Sequence, residues 1–293
     1  MIGKSKLSTI LWVLMGSEII RAWYDYFSGA IALLEGFQFS VFSLLLGIST
    51  LTGLVWVYEN APARQAKLHL DAAVGILAGA FLGSRAGFVI FRWDYFQNHL
   101  LEIIQFYAGG YSWVGMIIGW LVAALIISRL IHQPLLVLCD FLLPLAGCLA
   151  VGIWLGCWFE GIAYGGLSTQ WWAIPAVDEW GIIANRFPIQ LIGAISTLFF
   201  MILLDALKGY PVWKPWLDEP GFSTAFFSSM LWVSCLLLSF LRQDPAPTCL
   251  GLRLDTCISA GFSIMGVILW GVIVIKKKRV YEQNHAESKY MLR

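Results

Sequence analysis

The sequence has few charged residues for its length. Only 13% of its 293 residues are Asp, Glu, Lys or Arg, whereas 59% are hydrophobic. Soluble globular domains carry about twice that share of charge, so the composition excludes an ordinary soluble domain and indicates a protein with several membrane spans. The formal net charge is only +1, and no basic stripe is interleaved with aromatic residues. We therefore expect no nucleic-acid partner.

Metal-binding patterns are also missing. The six cysteines form no CxxC pair, and none is paired with histidine at a metal-site spacing. We therefore expect no metal and no cofactor. Cys249 and Cys257 share one short loop, and they could form a disulfide if that loop faces an oxidising compartment.

Long apolar segments, by contrast, are abundant. A membrane-spanning helix needs about 20 mostly apolar residues. Neither an internal repeat nor a long polar linker divides the chain, so residues 36–275 are predicted to form one membrane domain. We predict an all-α polytopic membrane protein with seven spans, near residues 36–57, 72–91, 113–130, 137–158, 189–206, 222–241 and 258–275.

The N-terminal residues 1–35 are predicted to form an interfacial segment. The stretch from Leu7 to Ile20 is apolar but short, and Glu18 and Arg21 interrupt or follow it. A signal peptide or a full span is the alternative, but no small-residue cleavage site is present.

Basic residues beside the spans predict the orientation. Residues 276–293 form a basic tail that begins Lys276, Lys277, Lys278, Arg279, and every second loop before it is also basic. Because such loops stay in the cytoplasm, the C-terminus is predicted to be cytoplasmic and the N-terminus outside. The longest exterior loop, about residues 159–188, is then expected to form a small head.

Glycines are concentrated between residues 109 and 166. Glycine weakens a helix by roughly 1 kcal/mol relative to alanine, so such a concentration requires a structural or functional reason. Close approach of one backbone to another, or a turn, is the usual one. We assign these roles to Gly109, Gly110, Gly115, Gly156 and Gly165.

Five motifs in sequence order resemble those of one membrane-enzyme family. They are GSRAGFVIF (83–91), GGYSWVGMIIG (109–119), CDFLLPLAGCLAVGIWLGCWFEGIAYG (139–165), FPIQL (187–191) and FLRQDP (240–245). Together they resemble the prolipoprotein diacylglyceryl transferase family over about residues 30–275, with that family's seven-helix topology. The resemblance implies a bacterial cytoplasmic (inner) membrane protein that transfers a diacylglyceryl group from phosphatidylglycerol to a lipoprotein cysteine.

Most polar residues of the family motifs are replaced. The displacement requires a base for the thiol and cations for the departing glycerol phosphate. The family histidine falls on Val114 and the signature arginine on Trp154, and neither residue can take over these roles. Five further polar positions fall on Cys157, Ile162, Gly193, Cys235 and Ser239.

Two hypotheses therefore stay open. The first is a diverged working transferase, with a phosphatidylglycerol-like phospholipid and a lipoprotein precursor as partners. The second is a catalytically inactive lipid-binding homologue or a structural subunit of a larger membrane complex. Few charges at membrane depth and the absence of paired broken spans disfavour a channel or transporter.

Arg85 is the first of the remaining polar candidates. It lies inside a predicted span, where a charge costs about 2.5 to 3.5 kcal/mol and therefore needs a partner. It is either a ligand of the lipid headgroup or part of a buried ion pair with Asp71 or Asp140. Asp140 could instead cap its own span, which is the interpretation we favour.

Four other residues complete the candidate set. Tyr164, Gln190 and Arg242 match family positions and are candidates, with Arg85, for binding the lipid headgroup. An interfacial tyrosine and an arginine that snorkels to the headgroups are the alternatives for Tyr164 and Arg242. No catalytic residue is assigned; Glu160 is a weak candidate base, and a solvated carboxylate at a helix end is the favoured alternative for it.

The orientation can be tested with reporter fusions. Green fluorescent protein fused after Arg279 should fluoresce, because that position is predicted to be cytoplasmic. Alkaline phosphatase inserted in the loop 242–257 should be active, because that loop is predicted to lie outside. The opposite pair of results would invert the topology.

Overall fold

A computed structural model describes residues 40–106, 109–249 and 251–291. The predicted interfacial segment, residues 1–35, lies outside this described part. The described chain is mostly helical, with two short hairpins.

Seven helices are long and apolar enough to cross a membrane within the described chain. The predicted all-α polytopic fold is therefore confirmed. The helices are α1 (Val41–Asn60), α2 (Ala66–Phe91), α4 (Trp113–Leu130), α5 (Leu135–Phe159), α6 (Ile189–Lys208), α8 (Phe222–Ser239) and α9 (Leu254–Met291), whose apolar part is Leu254–Arg279.

Short elements connect these helices. Between α2 and α4 lie α3 (Trp93–Phe96) and a 3-10 helix (Leu100–Ile104), and α7 (Lys214–Leu217) precedes α8. The predicted head contains an antiparallel hairpin, β1 (Ile174–Val177) with β2 (Ile183–Arg186). A second hairpin, β3 (Thr248–Cys249) with β4 (Leu252–Arg253), precedes α9.

Helix ends differ most from the predicted spans where charged residues continue a helix. Helix α9 runs through the basic tail to Met291, although the predicted span ended at residue 275. Lys, Arg, Glu and Gln are good helix formers, so loss of hydrophobicity ends the membrane span without ending the helix. The same reason applies to α2, which begins at Ala66 and not at residue 72.

The chain divides into two compact units. Their described parts are residues 40–51, 147–206, 226–249 and 251–269 in the first unit, and residues 52–106, 109–146, 207–225 and 270–291 in the second.

In the second unit, α2 and α4 approach each other backbone to backbone. A Cβ on Gly83 would lie 2.6 Å from both the Gly115 carbonyl oxygen and the Gly119 Cα, so any larger residue would force the helices apart. The amide of Ser112 also donates to the Ser84 carbonyl at 2.9 Å. The glycines of two motifs therefore form one packing surface.

Asp140 caps a helix other than its own, so the favoured expectation was wrong. Its carboxylate accepts hydrogen bonds from the Gly221 amide (2.6 Å), the Thr224 amide (2.8 Å) and the Thr224 hydroxyl (2.7 Å). Asp140 is already inside α5, which begins at Leu135, where amides bond within the helix. The free amides at the start of α8 are the available donors.

In the first unit, α5 packs against α1 and α6 through its glycines. A Cβ on Gly156 would lie 2.5 Å from the ring of Phe42, and one on Gly147 would lie 2.5 Å from the sulfur of Met201. Side chains from both neighbouring helices therefore occupy the space that these glycines leave.

Gly83→Ala should destabilise the protein by about 1–3 kcal/mol, because the added methyl group meets backbone atoms that cannot rotate away. Gly261→Ala is the matched control, since nothing lies within 4 Å of the position that its added methyl group would take, and it should be neutral or slightly stabilising. Thermal unfolding midpoints in detergent measure both. Equal midpoints would contradict the packing described for α2 and α4.

Candidate functional site

The head holds Tyr164 in a buried position. Tyr164 is 6% exposed, and the guanidinium carbon of Arg186 lies 4.5 Å from the centre of its ring. Burial, followed by a hydrogen bond with Glu179, raises the pKa of Tyr164 to about 12, so its hydroxyl stays protonated at neutral pH. Tyr164 can therefore donate a hydrogen bond but cannot serve as a base.

Asp178 and Arg186 hold the head together, although the sequence did not single them out. One carboxylate oxygen of Asp178 accepts from the amides of Trp180 (3.0 Å) and Ile182 (2.9 Å), which closes the β1–β2 turn. The other oxygen lies 2.8 Å from Arg186 Nη2 in a buried ion pair. The sequence signal that could have predicted this turn is Asp178 followed by Gly181 three residues later.

Gln190 lies at the start of α6 and is 2% exposed. Its side-chain amide donates to the carbonyl of Ile162 at 3.0 Å. The buried amide thus joins α6 to the segment that follows α5.

Arg242 belongs to a cluster of two arginines and two aspartates. Its guanidinium contacts Asp244 at 2.6 and 2.9 Å and Asp255 at 2.8 Å. Arg253 contacts the same two carboxylates at 3.1 and 3.2 Å. Burial alone would lower the pKa of Arg242, but the hydrogen bonds and charge of Asp244, then the charge of Asp255, outweigh burial and raise it.

Three predicted residues meet at the segment 162–165. Gln190 bonds to the Ile162 carbonyl, the amide of Gln243 donates to the Tyr164 carbonyl at 3.0 Å, and Gly165 pairs with Arg242 in a β-bridge. Glu160 lies just before this segment, at the end of α5, with an exposed side chain. This group of Tyr164, Gln190, Arg242 and the 162–165 segment is the candidate site.

Arg85 lies in the other unit and is 5% exposed. It donates to the carbonyls of Glu102 (2.5 Å), Ile103 (3.0 Å), Gly110 (3.1 Å) and Gly109. It therefore anchors the loop between α2 and α4 through carbonyls, and its described contacts include no ion pair with Asp71 or Asp140. Gly109 and Gly110 have φ of 75° and 79°, which suits glycine.

A comparison with known protein families identifies the family of this chain. The family model described as prolipoprotein diacylglyceryl transferase matches residues 29–272. The chain belongs to the prolipoprotein diacylglyceryl transferase family.

Curated relatives carry the name phosphatidylglycerol--prolipoprotein diacylglyceryl transferase. The protein of Finegoldia magna is 27% identical over 240 residues, which cover 80% of this chain and 91% of the relative. That of Ruegeria pomeroyi is 26% identical over 250 residues, 80% and 78% respectively. That of Acaryochloris marina is 33% identical over 213 residues, 70% and 77% respectively.

Two positions at which this chain has lost a polar residue of the family motifs are in direct contact. The signature arginine of the family falls on Trp154, and the glutamate that follows FPIQL falls on Gly193. In the structure a Cβ on Gly193 would overlap the indole ring of Trp154. A large ring thus lies opposite a glycine at two motif positions that carry opposite charges in the family pattern.

The other replaced positions are filled without new charge. Val114 is half-buried in the first turn of α4, where Ser112 caps the helix by accepting from the Gly115 amide at 3.3 Å. Ser239 is buried and accepts from the Thr256 hydroxyl at 2.9 Å. Among the described residues, no cluster of three His, Cys, Asp or Glu side chains could hold a metal.

A double-mutant cycle tests the contact between Trp154 and Gly193. Trp154→Arg should destabilise by about 2.5 to 3.5 kcal/mol, because a charge is placed within a span. Gly193→Glu should also destabilise, because its side chain overlaps the indole. The double variant should lose about 0.5–3 kcal/mol less free energy of unfolding than the two single variants lose together, because the introduced arginine and glutamate can pair with each other.

The matched control combines Gly193→Glu with Trp232→Arg, because Trp232 stacks on Phe262, not on Gly193. Its two effects on the thermal unfolding midpoint should add. If the effects of the single variants also add in Trp154→Arg with Gly193→Glu, the interpretation that these two positions can hold a charged pair is contradicted.

Proposed function

We propose that this multi-pass membrane protein transfers a diacylglyceryl group from a phosphatidylglycerol-like phospholipid to the cysteine thiol of a lipoprotein precursor. One observation carries the proposal. The family match extends over residues 29–272 and therefore includes all seven spans up to residue 272 and the head. The names of the curated relatives supply both substrate classes.

The proposed reaction is a displacement at the glycerol carbon. The cysteine thiolate forms a carbon–sulfur bond, the carbon–oxygen bond to phosphate breaks, and glycerol phosphate leaves. A group that receives the thiol proton and donors that stabilise the phosphate are required.

We assign the phosphate-binding role to the candidate site. Tyr164 keeps its hydroxyl proton at neutral pH, and it would donate this proton to a phosphate oxygen in exchange for its hydrogen bond with Glu179. Arg242 offers guanidinium N–H donors, and the two carboxylates that contact it balance its charge. Gln190 positions the segment 162–165. Arg85, in the other unit, is proposed as a separate headgroup contact through the one guanidinium N–H that its four described carbonyl bonds leave.

We assign the proton-accepting role to Glu160. Its side chain is exposed at the end of α5, where a carboxylate can reach an approaching thiol. Val114, which stands at the position of the family histidine, cannot accept the proton because valine has no basic atom.

A catalytically inactive phospholipid-binding homologue, alone or as a subunit of a membrane complex, is the second candidate function. The contact between Trp154 and Gly193 favours it, because an apolar ring stands where the family motif has a cation. The neutral Arg242 cluster, which balances two arginines with two aspartates, favours it as well.

The proposed location is the bacterial cytoplasmic membrane, with the N-terminus outside and the C-terminus in the cytoplasm. The basic residues Lys276–Arg279 at the end of the last span support this orientation. The head, which lies between α5 and α6, then faces the exterior.

Complementation separates the two functions. In cells depleted of their own transferase, the parent chain should restore growth and diacylglyceryl modification of a lipoprotein, detected as a mass increase. Glu160→Gln should lower modification at least about 100-fold, as loss of a general base does. Absence of modification despite membrane expression would refute the transferase and support the inactive homologue.

Lipid retention tests the binding site separately from catalysis. Arg242→Leu should lose co-purified anionic phospholipid, measured by mass spectrometry of the purified protein. Arg129→Leu is the matched control, because Arg129 is an exposed arginine at the end of α4. Full retention by Arg242→Leu would contradict a headgroup role for Arg242.

A further inference from the structure

Two cysteines lie at one corner of the first unit. Cys249 is in β3, and Cys257 is in the first turn of α9, after the β3–β4 hairpin has reversed the chain direction. Their side chains are exposed and half-buried respectively. The other four cysteines, Cys139, Cys148, Cys157 and Cys235, lie within spanning helices.

The Cys257 thiol is in contact with Cys249. Its sulfur lies 3.5 Å from the Cys249 carbonyl oxygen. Both residues are free thiols in this structure. A disulfide has a sulfur–sulfur distance of about 2.05 Å, so its formation requires the two side chains to turn toward each other.

The predicted orientation places this corner outside the cytoplasm. Both cysteines lie at the Leu254 end of the span Leu254–Arg279, and the basic residues lie at its other end. Disulfides persist in extracytoplasmic compartments and are rare in the cytosol. The predicted orientation and the observed contact are independent arguments, one from charge distribution and the other from geometry.

We propose that Cys249 and Cys257 form a disulfide in the mature protein. The two thiols lose two protons and two electrons as the sulfur–sulfur bond forms. The oxidant is the disulfide of an extracytoplasmic thiol–disulfide oxidoreductase, which is reduced to a dithiol through a mixed disulfide. Exposed Cys249 is the thiol that such a protein can reach first.

The disulfide would brace the arginine–aspartate cluster of the candidate site. Arg253 and Asp255 lie between the two cysteines in sequence, and both contact the cluster of Arg242 and Asp244. A covalent link from β3 to α9 restricts the unfolded loop and keeps these charges together. This consequence is independent of whether the protein catalyses transfer.

Thiol counting in intact cells tests the disulfide. Cells are quenched with acid, and the denatured protein is labelled with a maleimide polymer that adds one mass step for each free thiol. The chain has six cysteines, so four should react before reduction, six minus the disulfide pair, and all six after it. Mass spectrometry should show a linked peptide that is two hydrogens lighter than its reduced parts.

Serine variants provide the controls. Cys249→Ser should show five reactive thiols with or without reduction, whereas the matched control Cys148→Ser should show three before and five after. Six reactive thiols in the parent before reduction would overturn the disulfide. A cytoplasmic result for the 242–257 reporter together with six free thiols would place the error in the orientation, and leave the transferase assay unaffected.

Discussion

A polar group buried within a membrane span needs a partner from the chain, because the hydrocarbon core of a membrane offers none. Arg85 shows the consequence, since its guanidinium donates to four backbone carbonyls of one loop. Asp140 shows it for a carboxylate, which accepts from the free amides that begin α8. Single charged side chains thus fix the connections between helices.

The same constraint explains how the family scaffold tolerates lost polar residues. Removing one member of a charged pair would leave an unpartnered charge in a span, which is costly. Trp154 and Gly193 stand at motif positions that carry opposite charges in the family pattern, and Trp154 packs directly over Gly193. At the end of α8, Arg242 keeps its charge and balances it with Asp244 and Asp255. At these two places, the charged side chains are either replaced together or paired with opposite charge.

The sequence predicted the spans well and the partners of polar residues poorly. Helix α4 was predicted with both ends correct, because apolar length is a local property of the chain. The partner of Asp140 is more than 80 residues away in sequence, and no local pattern specifies it. Gly193 matched a motif position, but only the fold shows that the indole of Trp154 occupies its missing side-chain space.

Hydrophobic length, glycine-rich motifs and their order were sufficient to determine the membrane class, the seven helices and the family, since each depends on residues close together in sequence. The tertiary structure alone decided which groups meet. It gathered Tyr164, Gln190 and Arg242 at the segment 162–165, assigned Arg85 to backbone carbonyls, and placed Cys249 beside Cys257. Those contacts depend on helix packing and chain reversals, and the physical reason is that packing selects partners by shape and distance.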